Sequence, residues 1–339
     1  MSGGPVTVPE IEKTAAAAPK KAKGSEGGVS DLRTLQIVRV IVGAIIIVWL
    51  IPTIGLLITS LRTRGAIDSS GWWTVLWSFW DTSQWTLANY QEVLTSGGFD
   101  SAFVNTLIVA VPSTVMPITM AAFAAYAFSW MEFKGRYFLF VFVVALLVVP
   151  LQVALIPILR LYAGGPEVNL TFLSGIAGAL TGYEVERVTG NIPLSLNGTF
   201  LGVWLAHMGF GLPLAIYLLR NFMGSLPSEL IESARIDGAD HFAIFTRLII
   251  PLSVPALASF AIFQFLWVFN DFLVALVFLG ETQNVAVLTI ALNRLNGQFG
   301  ESWHLLTAGA FISMVLPVVV FFSLQRYFVR GLTAGAVKG

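Results

Sequence analysis

The chain has 339 residues, 56% of them hydrophobic and only 11% charged, with a mean hydropathy of +0.80. A soluble domain carries about 25% charged residues, so a water-facing surface cannot be built here and lipid must cover much of the chain. The formal net charge is zero, which gives no support to nucleic-acid binding, and the absence of cysteine excludes disulfides and thiolate metal sites. The three histidines, His207, His241 and His304, stand far apart in no metal-ligand spacing.

Residues 1–35 read as a disordered basic arm. The segment is rich in Ala, Gly, Pro, Ser and Lys and cannot bury enough apolar surface to order itself. Lys13, Lys20, Lys21 and Lys23 make it basic and suit contact with anionic lipid heads, though a solvated tail is the plainer reading. The arm and the apolar run after it are both too long for a signal peptide.

A membrane-spanning helix needs about 20 apolar residues. The uncharged runs are Val40–Leu61, Ser101–Met131, Tyr137–Leu159, Val188–Leu219, Leu248–Asn270 and Ser302–Gln325. Each supplies one helix, so the expected fold class is an all-α polytopic membrane protein with six transmembrane helices filling residues 36–329. The fifth is expected to continue past Asp271 to Leu279, because Phe272–Leu279 is apolar.

Loop 62–100 holds Trp72, Trp73, Trp77, Trp80 and Trp85. Trp73, Leu76, Trp77 and Trp80 fall at helical spacing, which predicts a short helix lying in the lipid headgroup zone. A docking or sugar-stacking platform is the alternative use. The second run carries Pro112 and Pro117, with Ala121, Ala122, Ala124, Ala125 and Ala127 offering close helix approach. In the third, Pro150 and Pro157 disturb regularity, and Gln152 suits either a polar cavity or an interhelical hydrogen bond. Loop 163–198 is rich in glycine and turns. His207 sits inside the fourth run, as a solute contact or a packing residue.

Residues 225–255 form the longest charged interval between spans. Pro227 and Ser228 suit a helix start, Leu230, Ile231 and Ala234 recur at helical spacing, and Gly238 fits a left-handed C-terminal cap. Asp240 caps a second helix with Phe242, Phe245 and Ile249 on one face, and Pro251 and Pro255 mark entry to the fifth span. That span holds Gln264, Trp267, Asn270 and Asp271. An ionisable group at this depth costs on the order of 2.5–3.5 kcal/mol and faces protein or water. Asn270, Asp271, Gln264, Gln152 and His207 are therefore the candidate lining of a solute path. An interhelical hydrogen bond near the outer interface is the competing reading for Asn270 and Asp271.

Six spans put both termini on one side, and lysine and arginine placement chooses that side. With the N-terminus inside, the inner segments hold Lys13, Lys20, Lys21, Lys23, Arg33, Arg39, Lys134, Arg136, Arg220, Arg235, Arg247, Arg326, Arg330 and Lys338. The outer ones hold only Arg62, Arg64, Arg160, Arg187 and Arg294. Both termini and loop 225–255 are expected to be cytoplasmic.

In that loop Glu232, Ser233, Ala234, Asp237, Gly238, Ala239, Phe245, Pro251, Leu252 and Pro255 resemble the EAA loop of bacterial ABC-importer permeases, with Ser233 in place of the central alanine. The ending from Gln325 through Gly335, Val337 and Lys338, residues 330–339 being the tail, resembles the second, G-type permease of maltose importers. Trp204-Leu-Ala-His and Pro213–Met223 extend the likeness to the maltose and alpha-glucoside group. The resemblance covers about residues 35 to 339. It implies a type I ABC importer permease in a bacterial cell membrane, working with a second homologous permease, two ATPase subunits and an extracytoplasmic sugar-binding protein. It implies alternating access, with ATP and Mg bound by the partner ATPase, the EAA loop as coupling contact and the tail reaching between the ATPases. The chain itself has no P-loop pattern and no nucleophile–base set, so it is expected to bind no cofactor and perform no catalysis. An ion-gradient-driven secondary transporter would instead show internal repeats and paired intramembrane charges. A permease for a polyol or other solute stays open.

Overall fold

The computed structural model describes residues 28–96, 98–163, 168–169, 191–192, 196–282, 284–298 and 302–334. The basic arm through residue 27, most of loop 163–198, and the tail residues Gly335, Val337 and Lys338 lie outside the described residues. The first helix runs Gly28–Ser60, and its stretch Thr34–Ser60 is long and apolar enough to cross a membrane. Among the described residues, those up to Ile54 form one contact unit and those from Gly55 onward another.

Further spans are Phe99–Trp130, Phe200–Met223, His241–Phe269 and Trp303–Gln325. The third differs from the single helix expected over Tyr137–Leu159. Its two halves, Arg136–Val148 and Leu151–Tyr162, meet at 103°. Pro150 causes the break. It offers no N–H to the preceding turn and pushes Val149 into an extended backbone with ψ 117°. The Val153 N–H donates to the Pro150 carbonyl at 3.0 Å and starts the second half.

The fifth span also differs from expectation. It stops at Phe269, and Leu273–Leu279 is a separate short helix. Asn270 and Asp271 divert the backbone: the Asn270 amide donates to the Leu266 carbonyl at 2.7 Å, and an Asp271 carboxylate oxygen accepts from the Ala275 N–H at 3.0 Å. A further helix, Leu288–Gln298, folds back onto the bundle before the last one, which continues as helix to Ala334, past the expected start of the tail at residue 330. Among the described residues, one two-residue antiparallel ribbon, Val168–Asn169 with Asn191–Ile192, interrupts the otherwise helical architecture.

The second span packs along the fourth and against the fifth. One core gathers near its start, where Phe99, Ala102 and Val109 meet Val203, Phe269, Phe278 and Leu288. The other gathers near its end, where Ala121, Ala122, Ala125 and Tyr126 meet Ala215, Leu219, Met223, Ile244 and Phe245. At about 1.5 Å per residue the centres of the two cores are roughly 30 Å apart along the second span, the thickness of a bilayer's hydrocarbon layer. The loop with Val93 lies at the first core, and the charged protrusion after Met223 lies at the second.

Gly202 opens the fourth span under the Leu196 carbonyl, where any Cβ would collide with backbone oxygen. Gly209, two turns on, faces open space. Gly202→Ala is expected to destabilise by about 1–3 kcal/mol, and Gly209→Ala to be neutral or slightly stabilising. Thermal unfolding midpoints of the two purified variants check this.

Candidate functional site

The protrusion starts as helix Ser228–Ile236, with Pro227 at its N-cap. It ends in a Schellman arrangement. The Ala239 N–H donates to the Ala234 carbonyl at 2.9 Å, the Gly238 N–H donates to the Arg235 carbonyl at 3.0 Å, and Gly238 has φ +81°. Only glycine adopts that left-handed geometry without strain. Asp240 then caps the next helix, its carboxylate accepting from the Ala243 N–H at 2.7 Å.

This second helix is not a separate element ahead of the membrane, because His241–Phe269 runs as one 29-residue span. A π-turn over Phe245–Ile249 joins its parts, with the Ile250 N–H donating to the Phe245 carbonyl. Pro251 follows directly. A proline cannot donate to the residue four back, and the wider turn accommodates the missing bond. The extra residue also rotates the helix face. Ile244, rather than the expected Phe242, joins Phe245 and Ile249 in the core, and Phe242 is left exposed.

Phe245 seats the protrusion. Its ring stacks on Phe123 at 4.7 Å and meets Tyr126 edge-on at 5.3 Å. The Tyr126 hydroxyl lies 2.9 Å from His241 Nδ1. Nearby, the Trp130 indole N–H donates to the Met223 carbonyl at 3.1 Å, and the Ser129 hydroxyl donates to the Arg220 carbonyl at 3.2 Å. Ala234 and Ala239 are half-buried against this seat. Glu232, Ser233, Asp237, Gly238 and Pro251 face out, together with Ile236, which is 86% exposed. The motif residues thus divide into an inward set that fixes the knob and an outward set free to meet another surface.

The candidate path residues divide as well. Gln152 and Asn270 are exposed, and Asn270, although next to Asp271 in the chain, turns its amide back to the Leu266 carbonyl. His207, Gln264 and Asp271 share one seam between the fourth and fifth spans. His207 is fully buried, with Nε2 3.8 Å from an Asp271 carboxylate oxygen and its ring edge-on to Trp267 at 5.6 Å. One turn along, Gly211 leaves room for Gln264, whose amide donates to the Ser113 carbonyl at 3.2 Å. A Cβ at Gly211 would lie 2.6 Å from that amide nitrogen. Both His207 nitrogens and the Gln264 amide oxygen lack hydrogen-bond partners. Asp271 itself accepts from the Ala275 N–H in the first turn of helix Leu273–Leu279. Beside the seam is a groove of about 440 Å³, lined by Leu151, Ile158, Leu205, Phe210, Pro213 and Trp267 among others. That volume lies within the range of small-molecule pockets. Among the described residues, no three His, Asp or Glu side chains stand close enough to hold a metal.

Two contributions were not anticipated from the sequence. Helix Leu288–Gln298 supports the first core: the Asn105 amide donates to the Asn284 and Ala286 carbonyls at 3.0 and 3.1 Å, and the Leu288 N–H donates to the Thr106 hydroxyl at 2.8 Å. Its signal is the spacing of Leu288, Ala291, Leu292 and Leu295. The Tyr126–His241 contact joins residues 115 apart and has no local signal.

A family profile described as "Binding-protein-dependent transport system inner membrane component" matches residues 117–334. The osmoprotective compounds uptake permease protein GgtD of Synechocystis sp. is 55% identical over 301 residues, covering 89% of this chain and 91% of that one. The alpha-glucoside transport system permease protein AglG of Rhizobium meliloti is 56% identical over 256 residues, covering 76% of this chain and 61% of that one. Among solved structures, a chain of a bacterial ABC transporter involved in alginate import superposes with TM-score 0.62 at 20% identity, covering 88% of this chain and 98% of that one.

The seat makes a specific demand. Tyr126→Phe removes the hydroxyl contact to His241 and keeps the ring, so it should cost about 0.5–1.5 kcal/mol and raise amide hydrogen exchange over 229–247. Phe245→Ala removes the ring and should cost about 3–5 kcal/mol. Equal exchange in the Tyr126→Phe variant and the parent would exclude a clamping role for the hydroxyl.

Proposed function

The chain belongs to the family of binding-protein-dependent transport system inner membrane components, the permeases of ABC importers, and we propose that the Glu232–Pro251 protrusion is where it receives motion from an ATPase subunit. The observation that carries this reading is the division of the knob. Phe245, Ile244 and Ile249 lock it to the second and fourth spans, while Glu232, Ser233, Asp237 and Gly238 stay exposed. A rigid handle with a free outer surface is what force transfer between subunits needs. The ATPase would bind the ATP and Mg, and this chain would bind neither.

The lysine and arginine distribution supports a cytoplasmic protrusion and cytoplasmic termini in a bacterial membrane. The resemblance at the C-terminus supports a tail, including Gly335, Val337 and Lys338, that reaches between two ATPase subunits. A second homologous permease and an extracytoplasmic binding protein complete the proposed assembly. The 29-residue fifth span joins the protrusion to the Gln264–Asp271 seam, so alternating access would reorganise His207, Gln264 and Asp271 as the knob moves. Such coupling requires contacts that differ between the two states.

The proposed solute is a sugar of the alpha-glucoside kind. The name of the Rhizobium relative points to alpha-glucosides and that of the Synechocystis relative to osmoprotective compounds. The exposed Gln152 and Asn270 remain proposed contacts only for a solute approaching from outside the seam.

Gly238→Arg and Glu232→Lys should reduce ATPase co-purification by about tenfold or more, a loss of roughly 1.4 kcal/mol, with helix content unchanged. Full retention of the ATPase by both variants would refute the coupling role. Asp271→Asn should change sugar uptake while ATPase binding persists; wild-type uptake would remove Asp271 from the path. Thermal shift of the cognate binding protein against maltose, trehalose, other alpha-glucosides and polyols identifies the solute class.

A further inference from the structure

The loop after the first span carries an apolar surface that transport coupling does not use. Trp73, Leu76, Trp77, Phe79 and Trp80 all expose their side chains, Trp77 at 69% and Trp80 at 79%. Trp73 stands on a 3₁₀ turn, Trp72–Thr74, Leu76 and Trp77 on the helix Val75–Ser78 that follows, and Phe79 and Trp80 on the turn after it. Positions 73, 76, 77 and 80 share one helical face. No charged residue occurs between Asp68 and Asp81.

The face is held from behind. Val75 is buried. The Gln84 amide donates to the Ser78 carbonyl, and the Trp85 indole N–H donates to the Phe79 carbonyl at 3.1 Å. The buried Arg62 ties the preceding turn, its guanidinium donating to the Ala66 and Ser70 carbonyls at 2.9 and 3.0 Å. These bonds satisfy the backbone and leave the rings pointing away from it.

Its depth follows from Trp72. The indole lies against Gly55, where a Cβ would be 2.7 Å from Cε2. Gly55 precedes the end of the first helix at Ser60 by five residues, about 8 Å along the axis. The patch therefore stands beside the last turns of a membrane span, where headgroups meet hydrocarbon. Leu56 and Leu57, in those same last turns of the span, are exposed as well. At its far edge Asp81 accepts from the Ser83 N–H and hydroxyl at 3.1 and 2.7 Å, forming a polar border.

We propose that Trp73–Trp80 is a monotopic lipid anchor, immersed in the headgroup–hydrocarbon boundary of the leaflet on the outer-loop side. Its partner is the bilayer itself. Indoles suit that depth because the ring is apolar while its N–H reaches polar neighbours. An uncharged helical face of this kind lies in the membrane plane. The proposal rests on membrane residence alone and is independent of the coupling role given to Glu232–Pro251.

The chain has no cysteine, so single thiols report cleanly. Trp77→Cys, Trp80→Cys and Ser83→Cys are made separately, assembled into the transporter, reconstituted in phosphatidylcholine vesicles and labelled with a nitroxide. Spin relaxation is compared between oxygen, which concentrates in lipid, and a water-soluble nickel chelate. Labels at 77 and 80 should favour oxygen, and the label at 83 should favour nickel. Nickel-favoured relaxation at 77 and 80 would show a water-facing patch and overturn the proposal. Weak relaxation by both agents would show protein cover and also overturn it. If the thiol variants fail to assemble, Trp77→Phe and Trp80→Phe in vesicles of lipid brominated high on the acyl chain decide the matter. Immersion predicts that each substitution lowers the quenchable part of the tryptophan emission, and an unchanged quenchable part refutes it.

Discussion

The seating of Phe245 between Phe123 and Tyr126 is the contact on which the functional architecture depends. A protrusion made of one short helix and the first turns of the fifth span has little core of its own. Helix Ser228–Ile236 contributes Ile231 as its buried side chain. Its order is borrowed from the ends of the second and fourth spans through one aromatic cluster and the Tyr126–His241 contact. Aromatic pairs add about 0.5–1.5 kcal/mol beyond the area they bury, so the clamp is strong for its size. A loose knob would absorb a displacement; a seated one passes it to the spans.

In the proposed coupling the fifth span would carry the displacement across the membrane. From His241 to Phe269 it is unbroken helix, about 40 Å at 1.5 Å per residue. Its irregular turn, Phe245–Ile249, sits at the knob and not in mid-membrane. Beyond it, Gln264 and Trp267 belong to the same rod as the seat, and Asp271 follows two residues after its end. There the rod meets His207 and Ser113, whose side chains leave polar atoms without partners. Unsatisfied buried groups cost about 1–3 kcal/mol each. Arg220 Nε and Ser253 Oγ, toward the knob end, are buried without partners too, although that end is otherwise filled with alanine and large apolar side chains.

Much of this was legible because its causes are local. Long uncharged runs announce spans, and the Glu232–Pro255 pattern contains its own cap, turn and helix starts. The errors have equally physical origins. The third run contains two prolines within eight residues, Pro150 and Pro157, yet only Pro150 breaks the helix, and composition does not distinguish them. Phe242 was placed inward by counting at 3.6 residues per turn, and a π-turn moved Ile244 into its place. Helix Leu288–Gln298 was overlooked because it is too short and polar to register as a span, although its apolar spacing is regular. Gln152 and Asn270 joined the path candidates on polarity alone. Facing direction, which separates them from His207 and Gln264, is set by tertiary packing.

Directional bonds hold the second span at both ends of the bundle, and that has a mechanical meaning. At the end away from the protrusion Asn105 donates to two backbone carbonyls, and Thr106 accepts from the Leu288 N–H. These bonds are directional and join the second span to fixed points of backbone. A slide of more than a fraction of an ångström weakens them, at a net loss of about 0.5–1.5 kcal/mol apiece. At the knob end the second span meets the fourth through Ala121, Ala122, Ala125 and Ala215, and the Trp130 indole N–H and Ser129 hydroxyl also donate to the Met223 and Arg220 carbonyls. The second span is therefore tied to backbone at both ends, so a displacement of the seated protrusion would move it as one rod rather than slide along it. Between those ties the Gln264 amide meets the Ser113 carbonyl of the same span, and there a shift of an ångström would remake polar contacts.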